Sequence, residues 1–174
     1  MAVSKCVSIN TPNSSSSRAA VLSEASELLS ARLGLRDLVE QQPVGGALSP
    51  SSETKDVRWW HIPPAHLGDW CCNRHGTLHG GLCLALLFAF CKAHVGLRCG
   101  SGGTVTRVHT QYMSPVSTVS PLMVRTALTD VSDDAVRTTA EVYSHKQYQL
   151  GRAAAPLCAA SITIMRRPAY HSHM

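Results

Sequence analysis

Acidic residues are scarce in this 174-residue chain, which has 11 Asp and Glu against 16 Lys and Arg and a formal charge of +5. Aromatic residues make up only 5% of the sequence and charged residues 16%. The longest apolar run, Leu82 to Cys91, has about half the length that a membrane span needs, so we expect no membrane span. The 44% of hydrophobic residues is nevertheless enough to fill one core, which excludes disorder throughout the chain.

Basic residues also lack clustering, because no run of Lys and Arg is longer than Arg166 and Arg167. A dense basic patch is the usual sequence signature of a nucleic-acid-binding surface. We therefore expect no nucleic-acid partner. A scattered excess of positive charge suits a small phosphorylated molecule better.

The seven cysteines are an odd number without the spacing of a disulfide scaffold, and the first 25 residues contain no apolar signal segment. Both features favour a reducing, intracellular compartment. The C-terminal tripeptide Ser172–Met174, which includes His173, is similar to the small–basic–hydrophobic signal for peroxisomal import. The predicted localisation is therefore the cytoplasm or a peroxisome-type organelle. A mitochondrial leader is less favoured, because only Lys5 and Arg18 precede the first acidic residue.

The chain divides into three segments. Residues 1–17 are rich in Ser, Asn and Thr and predict a disordered leader, residues 18–168 form one domain, and residues 169–174 form a tail. From residue 18 to residue 40 the apolar residues recur three or four positions apart, which predicts an amphipathic helix. Residues 47–60 predict a strand, a Ser/Pro turn and a second strand.

A buried helix and a run of strands follow. The segment Leu82 to Cys91 is apolar on every face, which predicts a central helix, and Lys92, His94 and Gly96 mark its polar end. Four later runs rich in Val, Thr and Tyr are separated by turn-like clusters, and we predict strands at Thr104–Tyr112, Pro121–Asp130, Ala135–Ser144 and Leu157–Met165. Without alternating βαβ units, this order predicts an α+β fold with an antiparallel sheet.

Two motifs resemble those of the hot-dog-fold acyl-CoA thioesterases: Gly-Thr-Leu-His-Gly-Gly at residues 76–81, directly before the apolar helix, and Gln-Tyr-Met-Ser-Pro at residues 111–115. The phenylacetate-pathway and thioesterase-superfamily-member branch is the most similar. The resemblance covers roughly residues 18–166 and implies an antiparallel sheet wrapped around one long central helix. It also implies a homodimer with sheets joined edge to edge, a dimer of dimers, and active sites at the dimer interface. Acyl-CoA is the implied substrate, and coenzyme A enters as part of it rather than as a separate cofactor.

The site residues follow from this resemblance. A glycine at a helix N-terminus has a free N–H that favours negative charge. The resemblance makes the Gly80 N–H the oxyanion donor and Asn73 the side chain that orients water or thioester, while His79 is a candidate general base. The implied substrate-binding residues are Gly81, Phe88, Tyr112, Met113, Ser114 and Pro115. The alternative is that the glycines merely shape a tight turn into the helix.

One essential group is missing. In this family a carboxylate on the central helix, nine residues after the His of His-Gly-Gly, acts as nucleophile or general base, and here that position is Phe88. Phenylalanine has no group that ionises or attacks a carbonyl, and no acidic residue occurs between Asp69 and Asp130. The hydroxyl that the family contributes from the next strand falls near Val105, between Thr104 and Thr106.

Two interpretations therefore stay open. The first is an acyl-CoA thioesterase whose base has moved elsewhere, to His79 or to a carboxylate such as Asp69 or Glu141. The second is a non-catalytic hot-dog protein that binds acyl thioesters or serves as a structural subunit. For the phosphates of coenzyme A the candidate contacts are Arg107, Lys146 and Arg152, because Lys and Arg are the residues that bind phosphate.

A zinc site is the competing interpretation of the segment before the helix. Cys71, Cys72, His75 and His79 have spacings loosely similar to those of zinc ligands. Structural zinc sites have two separated pairs of ligands, whereas these four residues crowd into one short segment. The hot-dog motif already accounts for His79. We therefore predict no metal site.

Overall fold

In a computed structural model of the protein, the residues that are described are 39–41, 56–100, 103–150 and 155–166. The predicted leader, the predicted tail, Arg152 and residues 18–38 of the predicted N-terminal helix lie outside this part of the chain. The prediction of that helix is wrong at its C-terminal end. Residues 39 and 40 belong to a strand instead, because Glu40 pairs with Trp60 in an antiparallel sheet.

Six strands form one sheet: β1 Val39–Gln41, β2 Val57–Ile62, β3 Thr104–Tyr112, β4 Leu122–Val131, β5 Ala135–Ser144 and β6 Cys158–Met165. Their order is β1-β2-β4-β5-β6-β3, and all neighbours are antiparallel. The predicted bounds of β3 and β5 are confirmed, and β4 and β6 each begin one residue later than predicted. The predicted second strand of residues 47–60 is β2, which continues to Ile62.

One long helix, α1 (Gly80–Cys99), lies on one face of the sheet and contacts β3, β4, β5 and β6. It is longer than the predicted apolar segment. The predicted polar end is wrong, because α1 continues through His94 to Gly100, whose left-handed φ of 76° and N–H bond to the Gly96 carbonyl end the helix. By length and mean hydropathy (1.7) α1 passes the test for a membrane span, but 56% of that window is buried within the fold. It therefore packs as the core helix.

Alternation along the strands sorts the side chains between the two faces of the sheet. On β6, Cys158, Ala160, Ile162 and Ile164 are buried in the core that α1 covers. The register of β3 with β6 puts Val105, Val108, Thr110 and Tyr112 on this same face, and Arg107, His109 and Gln111 on the opposite, outer face. Because β3 is the last strand in the order, one of its edges has no neighbouring strand in the described sheet.

A buried polar network fixes the C-terminal half of α1. The imidazole of His94 is fully buried, with Nδ1 2.9 Å from Thr126 Oγ1 and Nε2 3.0 Å from Asp56 Oδ1. Arg98 Nε donates to Asp56 Oδ2 at 2.7 Å, and Trp60 Nε1 donates to Thr126 Oγ1 at 2.9 Å. These bonds tie α1 to the start of β2 and to the middle of β4. They also explain how a polar residue is accommodated in the core.

The Asp56 carboxyl is the charged centre of this network. Burial by itself raises its pKa, but the hydrogen bond from His94 and the charges of His94 and Arg98 outweigh burial and hold the pKa below its ordinary value of 3.8. A carboxyl whose pKa is lowered by folding stabilises the fold above its unfolded pKa. That stabilisation is lost as the pH falls through the lower, folded pKa.

Replacing Asp56→Asn should lower the free energy of unfolding at pH 7 by about 1–3 kcal/mol, because charge-assisted hydrogen bonds are lost. The difference from the unaltered protein should shrink as the pH falls below the ordinary pKa of 3.8. Urea unfolding at a series of pH values measures both effects. The matched control is Asp133→Asn in the exposed turn between β4 and β5. A cost for Asp56→Asn that is the same at every pH would contradict the assigned role.

Candidate active site at the start of the central helix

The loop that leads into α1 is held in place by the segment after β3. The Leu78 N–H donates to the Val116 carbonyl at 2.8 Å, and the His79 N–H donates to the Cys71 carbonyl at 2.9 Å. A further β-bridge joins Thr77 to residue 117. The two sequence motifs, which are far apart in the chain, are therefore adjacent in the fold.

Asn73 organises the turn within this loop. Its Oδ1 accepts from the N–H of His75 at 2.8 Å and from the N–H of Thr77 at 3.3 Å, and its Nδ2 donates to Thr77 Oγ1 at 2.9 Å. Asn side chains commonly stabilise turns in this way. These contacts give Asn73 a role in shaping the loop, and its role in orienting water or thioester stays a prediction.

His79 caps the helix. It has an extended backbone, with φ −62° and ψ 131°, and its Nδ1 accepts a hydrogen bond from the Gly81 N–H at 3.1 Å. The nitrogen of a neutral imidazole that accepts a hydrogen bond is the unprotonated one. The basic lone pair of His79 is thus engaged in the cap. A general base at this position would have to release the Gly81 N–H.

The Gly80 N–H, in contrast, has no acceptor within hydrogen-bond distance among the residues that the structure describes. It is the first N–H of α1, so no acceptor exists for it within the helix. The helix dipole gives this end a partial positive charge. The Gly80 N–H can therefore donate to an anion or to a polarised carbonyl oxygen.

Tyr112 connects the second motif to this glycine. Its hydroxyl donates to the Gly80 carbonyl at 2.8 Å, and its ring carbons lie 3.5 Å from the position that a Cβ on residue 80 would take. The N–H groups of Met113 and Ser114 both donate to the Leu157 carbonyl at 3.0 Å. Tyr112 and Met113 remain 55% and 45% exposed. The predicted substrate-binding residues Tyr112 to Ser114, with Pro115 after them, thus lie at the end of β3 beside the start of α1.

Phe88 lies two turns further along α1. It shares one side of the helix with Gly81, Leu84 and Ala85, which are spaced three or four residues apart and are not fully buried. This side of α1 is apolar, and Phe88 packs partly against the core. The carboxylate of Glu141 does not replace the missing acid, because Glu141 is on the outer face of the sheet. There it binds Arg125 at 2.9 Å and accepts from the hydroxyl of a neighbouring tyrosine.

Comparison with solved structures identifies the fold. The Escherichia coli PaaI protein from the phenylacetic acid degradation operon has a TM-score of 0.61 at 13% identity, covering 86% of this chain and 95% of that chain. Thioesterase superfamily member 2 from Mus musculus has a TM-score of 0.58 at 12% identity, covering 82% and 95%. The chain has the hot-dog fold that these solved structures share. This confirms the resemblance at the level of the fold.

A third solved structure contains a ligand. A hypothetical thioesterase from Streptococcus pneumoniae with coenzyme A has a TM-score of 0.57 at 10% identity, covering 76% of this chain and 90% of that chain.

The chain spans about half, 49%, of the length of another solved structure, the thioesterase superfamily protein RHA08564. No family model matches the sequence, and no curated protein matches it.

Thr110, on the strand that follows the core helix, is a candidate site residue that was not predicted from the sequence. Thr110 faces α1, and its Oγ1 is buried without a hydrogen-bond partner among the described residues. The predicted hydroxyl positions lie closer to the start of β3, where Val105 faces α1 and Thr106 Oγ1 donates to the Thr163 carbonyl at 3.4 Å. In the sequence, the spacing of Thr110 two residues from both Val108 and Tyr112 is the pattern that indicates a common face of β3.

Two of the three predicted phosphate contacts, Arg107 and Lys146, do not lie beside Gly80. Arg107 is on the outer face of the sheet. Lys146 is in the short helix α2 (His145–Gln149), which packs on that same outer face, where the rings of Tyr148 and Trp59 lie 4.8 Å apart. Arg152 lies outside the described residues. The structure therefore leaves all three roles as predictions and separates Arg107 and Lys146 from the start of α1.

The cysteines near the site form hydrogen bonds with other groups of the chain. Cys71 Sγ donates to the Gly68 carbonyl at 2.8 Å, and Cys72 Sγ is 3.2 Å from Thr118 Oγ1. Within the described ranges, no three His, Cys, Asp or Glu side chains group closely enough to hold a metal ion. Burial raises the pKa of Cys71 to about 11. The hydrogen bond with Cys158 and burial raise the pKa of Cys83 far above its ordinary value, so Cys83 is a buried thiol.

The turn that precedes the site can be tested through Gly76. Its φ of 72° lies in the left-handed region, so Gly76→Ala should lower the free energy of unfolding by about 1–2 kcal/mol. Gly81→Ala is the matched control, because its Cβ would make only ordinary contact, 3.4 Å from His79 Nδ1, inside a helix that favours alanine. Thermal and urea unfolding measure both variants. Equal stability of the two variants would contradict the strained position of Gly76.

Proposed function

We propose that this protein binds acyl-CoA thioesters at the start of α1 and hydrolyses them there, with the Gly80 N–H holding the developing oxyanion. The observation that carries the proposal is the Gly80 N–H, which has no acceptor among the described residues, whereas His79 binds the next N–H and Tyr112 binds the Gly80 carbonyl. The coenzyme A in a Streptococcus pneumoniae neighbour and the acetyl CoA in a Streptococcus mutans neighbour support this class of ligand. Coenzyme A enters as part of the substrate.

The proposed chemistry begins with the thioester carbonyl. When water attacks the carbonyl carbon and gives its proton to a base, negative charge develops on the carbonyl oxygen. The Gly80 N–H and the partial positive charge of the helix end stabilise that charge, and a glycine lets the substrate come close to the backbone. This half of the chemistry needs no ionisable side chain. As the tetrahedral intermediate collapses, the C–S bond breaks and coenzyme A leaves as a thiolate that takes up the proton, so the products are a carboxylic acid and coenzyme A.

The second half needs a base for the attacking water. Among the predicted catalytic residues, His79 is the one that can accept a proton near neutral pH. In the described structure its Nδ1 accepts from the Gly81 N–H, so the proposal requires that this bond opens when water is deprotonated. Asn73 retains one Nδ2 hydrogen beyond its bond to Thr77, and this hydrogen is the proposed contact to water or thioester.

Phe88 favours a second candidate function. An apolar residue stands at the position where the resembling family has its carboxylate, on a helix side that Leu84 and Ala85 also make apolar. A site that polarises a carbonyl without a base binds thioesters but does not turn them over. This candidate is a non-catalytic hot-dog protein that binds acyl thioesters or acts as a structural subunit.

Both candidates include a homodimer through β3, and two such dimers form the dimer of dimers that the resembling family implies. The outer edge of β3 carries unpaired backbone groups in the described sheet, and pairing with a second copy would satisfy them. The partly exposed side of α1 with Phe88 would also be covered.

The oxyanion role can be tested by removing one hydrogen atom. Gly80→Pro deletes the N–H, and the extended backbone of His79 suits a residue before proline at the first helix position. We expect kcat/KM for acyl-CoA to fall by about 10²–10³, as when an oxyanion donor is removed. In a non-catalytic protein, the Kd for acyl-CoA should instead rise by roughly tenfold.

Gly80→Ala is the matched control for this test. It keeps the N–H, and its Cβ would lie at an ordinary 3.5 Å from the Tyr112 ring. The assay is thiol release from a panel of acyl-CoAs, with calorimetric binding beside it. If the proline and alanine variants behave alike, Gly80 does not act through its N–H.

The two candidate functions can be separated at Phe88. If the chain is a non-catalytic binder, Phe88→Asp should create or raise hydrolysis, because it restores a carboxylate at the position of the family's base. If the chain is already a thioesterase with a different base, Phe88→Asp should lower its activity. Phe88→Asn and Phe88→Leu are the controls for polarity and for lost ring volume. Activity gained equally by the Asn and Asp variants would contradict a role for the carboxylate.

A further inference from the structure

Two arginines stand in one row on the outer face of the sheet, the face opposite to α1. Thr163 on β6 is paired with Arg137 on β5 and also with Arg107 on β3. The two arginines are thus two strand spacings apart, about 10 Å between their backbones. Their long side chains can therefore reach one ligand placed between them.

Neither guanidinium is neutralised by a described residue. Arg107 and Arg137 are exposed, and no hydrogen bond or ion pair from either side chain occurs in the described part of the chain. Arg125 on the same face shows the contrast, because it binds Glu141 at 2.9 Å. Asp130 on β4 is the other cross-strand neighbour of Arg137, but it forms no ion pair with it within 4.0 Å.

The space between the arginines is a polar depression of about 530 Å³. Its lining consists of two guanidinium groups and three hydroxyl groups, contributed by Thr106, Arg107, Arg137, Ser161 and Thr163. No carboxylate of a described residue lines it. Guanidinium groups bind phosphate through paired hydrogen bonds, and hydroxyl groups supply further donors.

We propose that this depression binds the phosphate groups of a small molecule, such as a pyrophosphate-containing nucleotide. The sheet lies between this site and the Gly80 N–H, so the two sites are on opposite faces. A second copy stacked face to face on the depression is a poor occupant, because a two-fold contact at that place would bring the positively charged arginines of both copies together. Edge-to-edge pairing through β3 extends the sheet and leaves its outer face uncovered. The proposal does not depend on thioester hydrolysis.

Calorimetric titration with inorganic pyrophosphate tests the site directly. Arg107→Gln and Arg137→Gln should each raise the Kd at least about tenfold, which corresponds to one lost charge-assisted contact, and the double variant should abolish binding. Asp130→Asn should lower the Kd, because it removes a repelling charge beside Arg137. Arg137→Lys should be intermediate, because it keeps the charge without the paired geometry.

Arg74→Gln is the matched control, since it removes one exposed positive charge from the loop before α1, away from the depression. It should leave the pyrophosphate Kd unchanged. Pyrophosphate binding that survives in the Arg107→Gln, Arg137→Gln double variant, or that weakens equally in Arg74→Gln, would overturn the proposal. So would the absence of any pyrophosphate binding by the unaltered protein.

Titration with coenzyme A distinguishes the sources of the phosphate. If a separate phosphorylated molecule is the ligand, coenzyme A and pyrophosphate bind together, and the double variant loses only pyrophosphate. If the phosphates of coenzyme A occupy the depression, coenzyme A displaces pyrophosphate and the double variant weakens both. Either result supports the phosphate site. Since these measurements need no turnover, a failure of the proposed hydrolysis would leave them unaffected.

Discussion

The packing of α1 against the sheet is the constraint on which the rest of this structure depends. Half of its twenty residues are buried, and its apolar composition demands that cover. Polar groups of the helix are therefore confined to its two ends and to one partly exposed side. At the C-terminal end, His94 is fully buried, and its bonds to Asp56 and Thr126 help to accommodate it there. At the N-terminal end, the polar groups of the helix are backbone N–H and carbonyl groups.

The proposed chemistry is at the N-terminal end, because the described residues leave one backbone N–H uncapped there. His79 satisfies the Gly81 N–H, and Tyr112 satisfies the Gly80 carbonyl, but the Gly80 N–H is left without a described acceptor. Both capping groups also fix the geometry around that N–H. The same contacts that stabilise the helix start thus prepare a donor for a carbonyl oxygen. This donor does not depend on which residue, if any, supplies the base.

The sequence predicted the strands, which depend on local pattern. It did not predict the surroundings of side chains whose partners are distant in the chain. Runs rich in Val, Thr and Tyr between turn-like clusters predicted the bounds of β3 and β5, whereas only the fold shows that the two motifs meet at the start of α1. The prediction that His94 marks the polar end of the helix is wrong, because nothing near it in the chain shows that Asp56 meets it in the core. Arg107 and Glu141 were recognised as charges, but only the strand register shows that both are on the outer face.

Phe88 shows how little the fold constrains the choice between catalysis and binding. It stands on the partly exposed side of α1, where an apolar side chain packs at the edge of the core and a carboxylate would remain within reach of water. Neither the Gly80 donor nor the buried network around His94 depends on this position. The proposed oxyanion donor is a backbone group of the helix start, whereas the proposed base is a separate side chain. The geometry around the Gly80 N–H therefore stays the same whether or not the protein hydrolyses a thioester.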